Sequence, residues 1–552
     1  MDFHSNLVVF PPDTVPQSAP ISANQVRNNA GGFGWKVDDF SRLKRFLCLG
    51  SEGGTYYTSE KALTQQNVGC ILNLISEGKG TDVVKTIKQF SLEGRTAKQT
   101  SILLALAVCC RSSDLTTKQE AYKAVCDICR IPTFLFEFIE RCEKQGKTTG
   151  WGRAHRNAIS AWYNRFSDDP VKLAMHVTKY RQRNSWSHRD VLRLSHTKPV
   201  NDAVGVVLRY AVRGLSDAKQ MYDKGEPESE DVRKVLKFLS VVDEAKSCTE
   251  EDKMVELIRQ HGLVREHIPT SLLSSVSVWK ELLQKMPMTA MIRNLGKMTS
   301  IGVLRDGCSE EDLVVQKVTD RDSLKQARIH PFNVLVALKT YSAGRGEKGK
   351  LTWIPTKRIK KALDDAFYLS FKFVLPTNKR YLLAVDVSGS MGCPVMGTPS
   401  VTCRDAAAAM MMVTKRTENP DNSTVVAFCD KLTPLDIGHT DDLDTVTGRI
   451  SNMPFGGTDC ALPMVWAKEK KKMFDVFVVY TDCETWFGKI HPSEALRQYR
   501  KWSGLWDARL IVCGMSSNEF TIADPDDPGM MDVVGFDSAA PEAMRSFVMG
   551  EI

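Results

Sequence analysis

Three short segments of the sequence place hard oxygen donors directly after apolar runs. The first reads Asp-Val-Ser-Gly-Ser, the second reads Gly-Gly-Thr-Asp, and the third ends the run Val-Phe-Val-Val-Tyr-Thr-Asp. Carboxylates combined with hydroxyls and waters are the ligands that Mg²⁺ prefers, whereas zinc prefers nitrogen and sulphur. The sequence therefore predicts a divalent metal site, with Mg²⁺ as the favoured ion, formed by Asp386, Ser388, Ser390, Thr458 and Asp482.

The same residues have a second interpretation that needs no metal. Hydroxyl and carboxylate side chains also cap the turns that follow strands, and one serine-rich turn alone indicates little. The occurrence of all three segments in this order favours the metal site. Because the protein supplies few strong ligands, one coordination position would stay open, and an acidic group from a protein partner could fill it.

A second kind of chemistry is indicated by residues 144–198, where cations are interleaved with aromatic residues. Cations pair with phosphates, and aromatic rings stack on unpaired bases, so the stretch is typical of an RNA-binding surface. The helical spacing of Trp151, Trp162 and Tyr163 favours the core instead, and for His188 a structural role and an RNA contact both stay open. The candidate RNA-binding residues here are Lys172, Lys179, Arg181, Arg183, His188 and Arg189.

A smaller polar set lies in the segment Met-Ile-Arg-Asn-Leu-Gly-Lys-Met. It consists of Arg293, Asn294 and Lys297 on a short apolar helix. These side chains would contact RNA if they lined a concave surface of the helical region. The alternative is that they only cap the helix that carries them.

The elements that must position these residues fall into two classes. From about residue 36 to residue 341, apolar residues recur at steps of three and four, as in DVRKVLKFLSVVDEAK, which predicts consecutive amphipathic helices. Asn184 and Ser185 indicate a break between two of these helices, and a loop there would present the cations of the basic stretch. Many helices without strands between them predict an α-helical solenoid of HEAT-like repeats, with an irregular helical bundle as the alternative.

The pattern changes after the glycine- and lysine-rich joint at residues 342–350. Short β-branched runs then alternate with helices, and the predicted strands are RYLLAVDVS, STVVAFCD, DVFVVYTD, ARLIVCGM and MMDVVGFD. This alternation predicts a doubly wound α/β domain, in which ligands bind at the carboxyl ends of the strands. We therefore divide the chain into an extended arm at 1–23, a helical domain at 24–360 and an α/β domain at 361–552.

The charge of the chain is distributed unevenly between these domains. The formal net charge is +8, yet residues 361–552 carry 19 Lys and Arg against 26 Asp and Glu, and residues 1–360 carry 55 against 40. A basic half beside an acidic half suggests a polyanionic partner for the helical domain. A solvated basic surface without a partner is the alternative that charge alone leaves open.

Cysteine usage and hydropathy bear on where the chain works. No apolar run is long enough to predict a membrane span, and the N-terminus lacks the pattern of a secretory signal. The 15 cysteines are then expected in a reducing compartment, and we expect a cytoplasmic protein with a nuclear pool. One isolated CxxC pair, Cys126 and Cys129, lies in a helix-like run without further zinc ligands, so no zinc site is expected there.

Four classes of function can be compared on the same residues. The basic half and its interleaved aromatic residues favour RNA binding, whereas a neutral or acidic solenoid would favour a protein-interaction scaffold. A metal-dependent enzyme would need a general base, a P-loop or a His-rich hydrolase motif, and we find none in the sequence. DNA binding lacks a helix-turn-helix, zinc-finger or basic-zipper pattern. We therefore expect an RNA-binding protein that is not an enzyme and does not bind DNA.

Longer segments resemble known families. RFLCLGSEGGTYY, VTKYRQRNSWSHRDVLRLSH, MIRNLGKMT, ARIHPFNVLVALKTY and FTIADPDDPGM are similar to the TROVE-domain family. The three oxygen-donor segments resemble the metal-ion-dependent adhesion site of von Willebrand factor A domains. The family resemblance covers about residues 24–552. It implies a ring of HEAT-like repeats that is closed by the von Willebrand factor A domain, and it favours a monomer.

The family resemblance also implies a function. In that family a basic central hole takes the single-stranded 3′ ends of misfolded non-coding RNAs, and the outer surface binds RNA helices, including small Y RNAs. This implies a role in quality control of non-coding RNA and in ribonucleoprotein assembly. By motif, Arg293, Asn294 and Lys297 would line the hole. The residues that would belong to the outer surface are Lys179, Arg181, Arg183, His188 and Arg189.

Overall fold

The computed structural model describes residues 14–145, 151–222, 229–347 and 349–552. Helices make up most of the first two thirds of this part of the chain. They are α1 (Asp39–Leu49), α2 (Glu60–Ser76), α3 (Gly80–Glu93), α4 (Gln99–Cys110), α5 (Leu115–Ile128), α6 (Pro132–Gln145), α7 (Arg153–Asn164), α8 (Pro170–Lys179), α9 (His188–Ser195), α10 (Asp202–Arg213), α11 (Leu215–Tyr222), α12 (Glu230–Ser247), α13 (Glu251–His261), α14 (Val276–Gln284), α15 (Met288–Ser300), α16 (Ser309–Thr319), α17 (Arg321–Gln326), α18 (Pro331–Ser342) and α19 (Lys357–Leu369).

Amphipathic spacing explains why these helices stack. In α12, Val235, Leu239 and Val242 recur on one face and are all buried. The Ser229 hydroxyl oxygen accepts a hydrogen bond of 3.3 Å from the Val232 amide and so caps the first turn. Neighbouring helices pack in pairs, such as α3 with α5, α4 with α6 and α8 with α12. This arrangement confirms the predicted array of HEAT-like helical repeats.

The C-terminal region is an α/β domain built on a six-stranded sheet in the order β11-β9-β8-β5-β6-β7. All neighbouring pairs are parallel except β6 with β7. Its strands are β5 (Tyr381–Asp386), β6 (Ser423–Phe428), β7 (Leu432–Leu435), β8 (Val476–Thr481), β9 (Arg509–Gly514) and β11 (Met530–Val534). Its helices are α20 (Cys403–Thr417), α21 (Leu443–Ser451), α22 (Leu462–Glu469), α23 (Pro492–Ser503) and α24 (Ala540–Met549).

Both ends of the helical array contact this α/β domain. The Arg45 guanidinium of α1, which is 1% exposed, pairs with Asp532 of β11 at 2.5 Å. The hydroxyl of Ser342, the last residue of α18, donates a hydrogen bond of 2.7 Å to Asp444 of α21. At the start of α18, the Asn333 amide donates a hydrogen bond of 3.1 Å to the backbone carbonyl that lies two residues before α4. The helices and the α/β domain therefore form a closed ring, as the family resemblance implied.

Residues near the N-terminus pack on the α/β domain. Strands β1 (Gln25–Arg27) and β2 (Phe33–Lys36) form an antiparallel sheet with β10 (Phe520–Thr521). The predicted arm at 1–23 lies outside the described residues up to residue 13. Beyond it, Gln17 is fully buried against the α/β domain. The sequence did not indicate this docking because strands this short carry little periodic signal and pair with a partner far along the chain.

No helix of the described residues is both long enough and apolar enough to cross a membrane. All the cysteines are free thiols, and most of them are buried. Burial raises the pKa of the Cys109 thiol to about 12, so this side chain stays protonated and packs as a small apolar residue.

Candidate nucleic-acid interface and metal centre

The predicted metal residues meet at the carboxyl edge of the sheet. Asp386 ends β5, and Asp482 directly follows the adjacent parallel strand β8. One carboxylate oxygen of Asp386 accepts a hydrogen bond of 2.8 Å from the Ser388 amide, and the other accepts one of 2.6 Å from the Thr481 hydroxyl. The hydroxyl oxygens of Ser388 and Ser390 lie 3.3 Å apart. The structure therefore brings predicted residues of the first and third segments together at one edge of the sheet.

The Gly-Gly-Thr-Asp loop joins the cluster through backbone hydrogen bonds. The carbonyl oxygen of Thr458 accepts hydrogen bonds of 3.0 Å from the amides of both Trp486 and Phe487, which follow Asp482 in the next loop. Thr458 itself is only 2% exposed. The Gly-Gly-Thr-Asp loop is therefore held against the loop that carries Asp482.

The electrostatics of the cluster fit a cation. Burial, and then the nearby Asp482 charge, raise the pKa of Asp386 to about 7, and burial raises the pKa of Asp482. Neither carboxylate forms an ion pair within the described ranges, and no cluster of three or more His, Cys, Asp and Glu side chains that could hold a metal occurs there. Two buried carboxylates beside serine and threonine hydroxyls form a donor set for a hard divalent ion rather than for zinc.

Gln17 clamps two of the metal loops together. Its side-chain amide donates hydrogen bonds of 2.8 Å to Asp459 and to the carbonyl of Ile490. Its side-chain oxygen accepts hydrogen bonds from the Thr485 hydroxyl and, at 3.4 Å, from the Gly488 amide. Both polar atoms of this buried side chain therefore form hydrogen bonds. The clamp joins the loop that contains Thr458 to the loop that follows Asp482.

Exposed aromatic residues surround the metal cluster. Tyr56 lines a cavity together with Ser390 and Asp482, and burial, followed by the charges of Asp482 and Glu484, raises the pKa of the neighbouring Tyr57 to about 12. The neighbouring loops expose further aromatic rings beside it. We call Tyr56, Tyr57, Phe455, Trp486 and Phe487 the aromatic rim.

Five of the seven predicted cations line two neighbouring cavities. The first cavity, of ≈ 750 Å³, is lined by the end of α8, by β3 (Gln182–Arg183) and by the short 3₁₀ helix Arg265–His267. The second cavity, of ≈ 550 Å³, is lined by α15, α18 and the loop that follows α18. Arg293 lines both cavities. Eight cations line the two cavities, and one of them, Lys246, is paired with Asp243 at 2.7 Å. We call the other seven the basic surface, which comprises Lys179, Arg181, Arg183, Arg265, Arg293, Lys297 and Arg328.

The positive charge of the basic surface is not neutralised by acidic side chains. Among the described residues, none of its cations lies within ion-pair distance of a carboxylate, although Glu266 also lines the first cavity. Lys179 instead lies 5.0 Å over the Tyr180 ring. Elsewhere in the helical array exposed cations pair with acids, as Arg259 does with Glu281 at 2.8 Å. Unpaired cations lining a concave surface are what a phosphate backbone requires.

A β-hairpin carries Arg183 of the first cavity and directly follows Arg181. Strand β3 pairs with β4 (Trp186–Ser187), and the two residues between them, Asn184 and Ser185, have positive φ values of 50° and 63°. Such values at both positions belong to a type I′ turn, which matches the twist of a two-residue hairpin. The Asn184 amide also donates a hydrogen bond of 2.7 Å to Glu140. The predicted break between two helices is therefore an ordered hairpin.

His188 requires a correction of its predicted role. The sequence left open whether its ring contacts RNA, but the ring is only 3% exposed. One ring nitrogen lies 2.8 Å from the Tyr163 hydroxyl, and burial lowers the pKa of His188 to about 3. The ring is therefore a neutral core group that supports the hairpin and cannot touch a ligand here. Trp162 and Tyr163 are fully buried, as their spacing predicted.

The remaining predicted residues differ in position. Lys172 and Arg189 are exposed, but they line neither cavity, so the structure separates them from the basic surface. Asn294 lines the second cavity beside Lys297, as the concave-surface interpretation required. The two sets that were assigned to the outer surface and to the hole meet at Arg293.

Sequence reasoning missed Arg265 and Arg328 on the basic surface. Each lies in a short connection with few neighbouring cations, so local charge density did not single it out. Arg328 lies in ARIHPFNVLVALKTY, a segment that carried the family resemblance, and this was the one available signal. It has a positive φ of 51°, which an arginine adopts only in a turn that its surroundings fix.

Comparisons with known proteins extend over both domains. Residues 26–340 match the family model of the TROVE domain, and residues 380–548 match that of the Ro60 vWA domain. The RNA-binding protein RO60 of Caenorhabditis elegans is 39% identical over 597 residues, which cover 97% of this chain and 92% of that protein. The RNA-binding protein RO60 of Deinococcus radiodurans is 37% identical over 540 residues, which cover 97% of this chain and 98% of that protein.

The fold agrees with these matches. The crystal structure of the Deinococcus radiodurans RO (RSR) protein matches with a TM-score of 0.66 and 36% identity, covering 93% of this chain and 100% of that chain. The relatives are named as RNA-binding proteins and not as enzymes, in agreement with the predicted non-enzymatic function. The chain therefore belongs to the Ro60 family, with a TROVE domain followed by a Ro60 von Willebrand factor A domain.

Proposed function

We propose that this chain binds RNA through the basic surface. The observation that carries the proposal is the run of cations that line two adjoining cavities, of which only Lys246 has an acidic partner among the described residues. Aromatic and polar side chains lie between these cations, so both phosphates and unpaired bases find partners there. The family relationship supports the proposal, because the relatives are named RNA-binding proteins.

The proposed ligands are small non-coding RNAs of two kinds. The single-stranded 3′ end of a misfolded RNA would enter the basic central hole that the family resemblance implies, whereas a folded helix would stay outside it. A well-folded RNA whose end is paired or covered by protein offers no such tail. Y RNA helices would bind the outer surface, where exposed Lys172 and Arg189 lie outside the cavities. The chain would thereby act in quality control of non-coding RNA and in ribonucleoprotein assembly.

Competition between the two ligands would control access to the hole. Arg293 lines both cavities, so an RNA bound along the first cavity would lie beside the entrance to the second. Bound Y RNA is therefore expected to lower the affinity for a tailed RNA at moderate salt. An unchanged affinity in the presence of saturating Y RNA would rule out this control.

We propose in addition that Asp386, Ser388, Ser390, Thr458 and Asp482 hold Mg²⁺. The bound ion would supply a positive charge that can accept a carboxylate from a protein partner. The chain's own residues fix the oxygen donors, and the aromatic rim provides exposed apolar surface around them. This metal centre supports a second function, the binding of an acidic segment of another protein.

A tail-dependence experiment tests the RNA proposal. An RNA hairpin with a single-stranded 3′ tail and the same hairpin without the tail are titrated with the full chain by fluorescence anisotropy. We expect tighter binding of the tailed RNA, and an affinity that decreases steeply with salt. Absence of binding to both RNAs would favour the protein-docking function alone.

A further inference from the structure

The second cavity combines an apolar floor with a cationic edge. Its floor includes the side chains of Ile292, Val336 and Trp353, and its volume of ≈ 550 Å³ lies in the range of small-ligand sites. Its edge carries arginine and lysine side chains of the basic surface. A bare phosphate would leave the apolar floor unused, and an apolar ligand would leave the cations without a partner.

Trp353 is held rigidly in this cavity. Its indole N–H donates a hydrogen bond of 3.0 Å to the Tyr341 carbonyl, and its backbone amide donates one of 2.9 Å to the Gly344 carbonyl. The Tyr341 and Trp353 rings stack with their centroids 6.1 Å apart. The six-membered part of the indole packs over Gly296, where an added Cβ would come within 2.7 Å of the ring.

Trp353 lines the cavity and keeps part of its surface exposed there. Trp353 is only partly buried, whereas Tyr341 is 2% exposed and belongs to the core. The Thr299 hydroxyl lies 3.0 Å from the Tyr341 hydroxyl and holds the ring beneath Trp353 in place. An aromatic side chain that is fixed before the ligand arrives loses little conformational entropy when a ring stacks on it.

We propose that this cavity binds an unpaired nucleobase, which stacks on Trp353 while Arg293, Lys297 and Arg328 contact the adjoining phosphates. The inference rests on the proposed RNA-binding function and specifies one contact within it. A nucleotide matches both halves of the cavity, because its base is aromatic and its phosphate is anionic. Stacking accepts any base, so this contact distinguishes an unpaired strand from a helix without selecting a sequence.

The test uses tails with and without bases. The full chain is titrated with a hairpin that carries a 3′ uridine tail, and with the same hairpin whose tail is abasic but keeps every phosphate. We expect the abasic tail to bind the wild-type chain about tenfold more weakly, since one stacked base contributes about that much. Trp353→Ala should weaken the binding of the uridine tail by a similar factor and leave the binding of the abasic tail unchanged.

Further variants separate loss of stacking from loss of folding. Trp353→Phe keeps a ring and should retain most of the affinity, and Gly296→Ala should displace the indole and lower the affinity for the uridine tail only. Trp506→Ala removes a tryptophan that is 71% exposed in the α/β domain, and it should bind like the wild type. A thermal melt of each variant checks its fold.

The possible results separate this inference from the proposed function. If wild type and Trp353→Ala bind both tails equally well, or if Gly296→Ala binds like the wild type, the nucleobase contact is wrong while RNA binding stands. If uridine monophosphate displaces the tail at micromolar concentration, the cavity is a site for free nucleotides and not for RNA. If the wild type does not distinguish a tailed from an untailed hairpin, the proposed function itself fails.

Discussion

At the residue scale, buried amide side chains fix the loops of the metal centre. Gln17 holds Asp459 and Thr485, and Asn28 donates a hydrogen bond of 2.6 Å to the carbonyl of Thr485. Groups that orient metal ligands without touching the metal usually have a large effect on metal affinity. The N-terminal segment therefore supports the proposed metal centre, although it lies far from that centre in the sequence.

We expect Gln17→Ala to weaken Mg²⁺ binding to the full chain by about tenfold. The change removes the clamp between two metal loops but removes no metal ligand. Calorimetric titration with Mg²⁺ measures the effect, with Asn24→Ala as the control because Asn24 is exposed on the same segment. If Gln17→Ala binds Mg²⁺ as tightly as the control does, the clamp does not position the metal ligands.

The proximity of the proposed metal residues could be predicted because their spacing is local. Asp386, Ser388 and Ser390 lie within one turn, and Asp482 ends a run that is recognisable as a buried strand. Gln17 could not be predicted, because its partner Asp459 is 442 positions away and a single glutamine has no distinguishing pattern. Burial of His188 was also beyond the sequence, since an imidazole suits either a core or a surface.

At the scale of elements, the β3–β4 hairpin determines where the cations of the first cavity lie. Its turn residues Asn184 and Ser185 adopt a left-handed conformation, which costs a β-branched residue roughly 1–2 kcal/mol. Beneath the hairpin, the Tyr163 hydroxyl and His188 form a buried hydrogen bond. Arg181 and Arg183 are therefore presented by an ordered element and not by a loose loop.

The hairpin can be disturbed without changing its charge. We expect the double variant Asn184→Val and Ser185→Val to bind tailed RNA several-fold more weakly, because valine disfavours positive φ at both turn positions. The matched control is Asn184→Gly with Ser185→Gly, which should keep most of the affinity because glycine adopts the turn readily. Anisotropy titrations compare the two variants, and equal affinities would mean that the turn geometry is unimportant.

The periodic elements were predictable and the short ones were not. Strands β5, β6, β8, β9 and β11 follow from β-branched runs bounded by polar residues, and the helices follow from their three- and four-residue spacing. The edge strand β7 and the small β1-β2-β10 sheet were missed. Their strands are between two and four residues long, too short to show an alternating pattern.

At the scale of the whole molecule, burial of neutral histidines links the stability of the helical array to pH. Burial is the largest cause that lowers the pKa of His155, His267 and His330 to about 4 and that of His188 to about 3. In the unfolded chain these groups protonate near pH 6.5. The stability that is associated with keeping these buried rings neutral is therefore fully present above pH 6.5, and it is lost as the pH falls towards 4.

We expect the free energy of unfolding to decrease between pH 7.5 and pH 5, by up to about 2 kcal/mol for each buried histidine. Urea denaturation at the two pH values measures this, with Mg²⁺ present so that the metal-site carboxylates stay ionised. His196→Gln is the control, because His196 is exposed and its removal should leave the pH dependence unchanged. Equal stability at pH 7.5 and pH 5 would contradict the neutral state of the buried rings.

The closed ring brings the basic surface together from elements that are distant in the sequence. Arg181 lies just before the β3–β4 hairpin, Arg293 on α15, and Arg328 close before α18. Charge counts predicted that the helical domain is basic, but only the ring geometry shows which cations share a surface. The central claim is therefore that this surface, and not basic charge in general, binds RNA.

The most direct test of this claim is the salt dependence of binding to the tailed hairpin. For the wild type we expect log Kd to rise linearly with log salt concentration, and for Arg181→Ala/Arg293→Ala we expect a slope smaller by about 1.4, as for two lost phosphate contacts to a single strand. Arg259→Ala, which removes an arginine already paired with Glu281 at 2.8 Å, should keep the wild-type slope and affinity. A double variant with the wild-type slope and affinity would contradict the account.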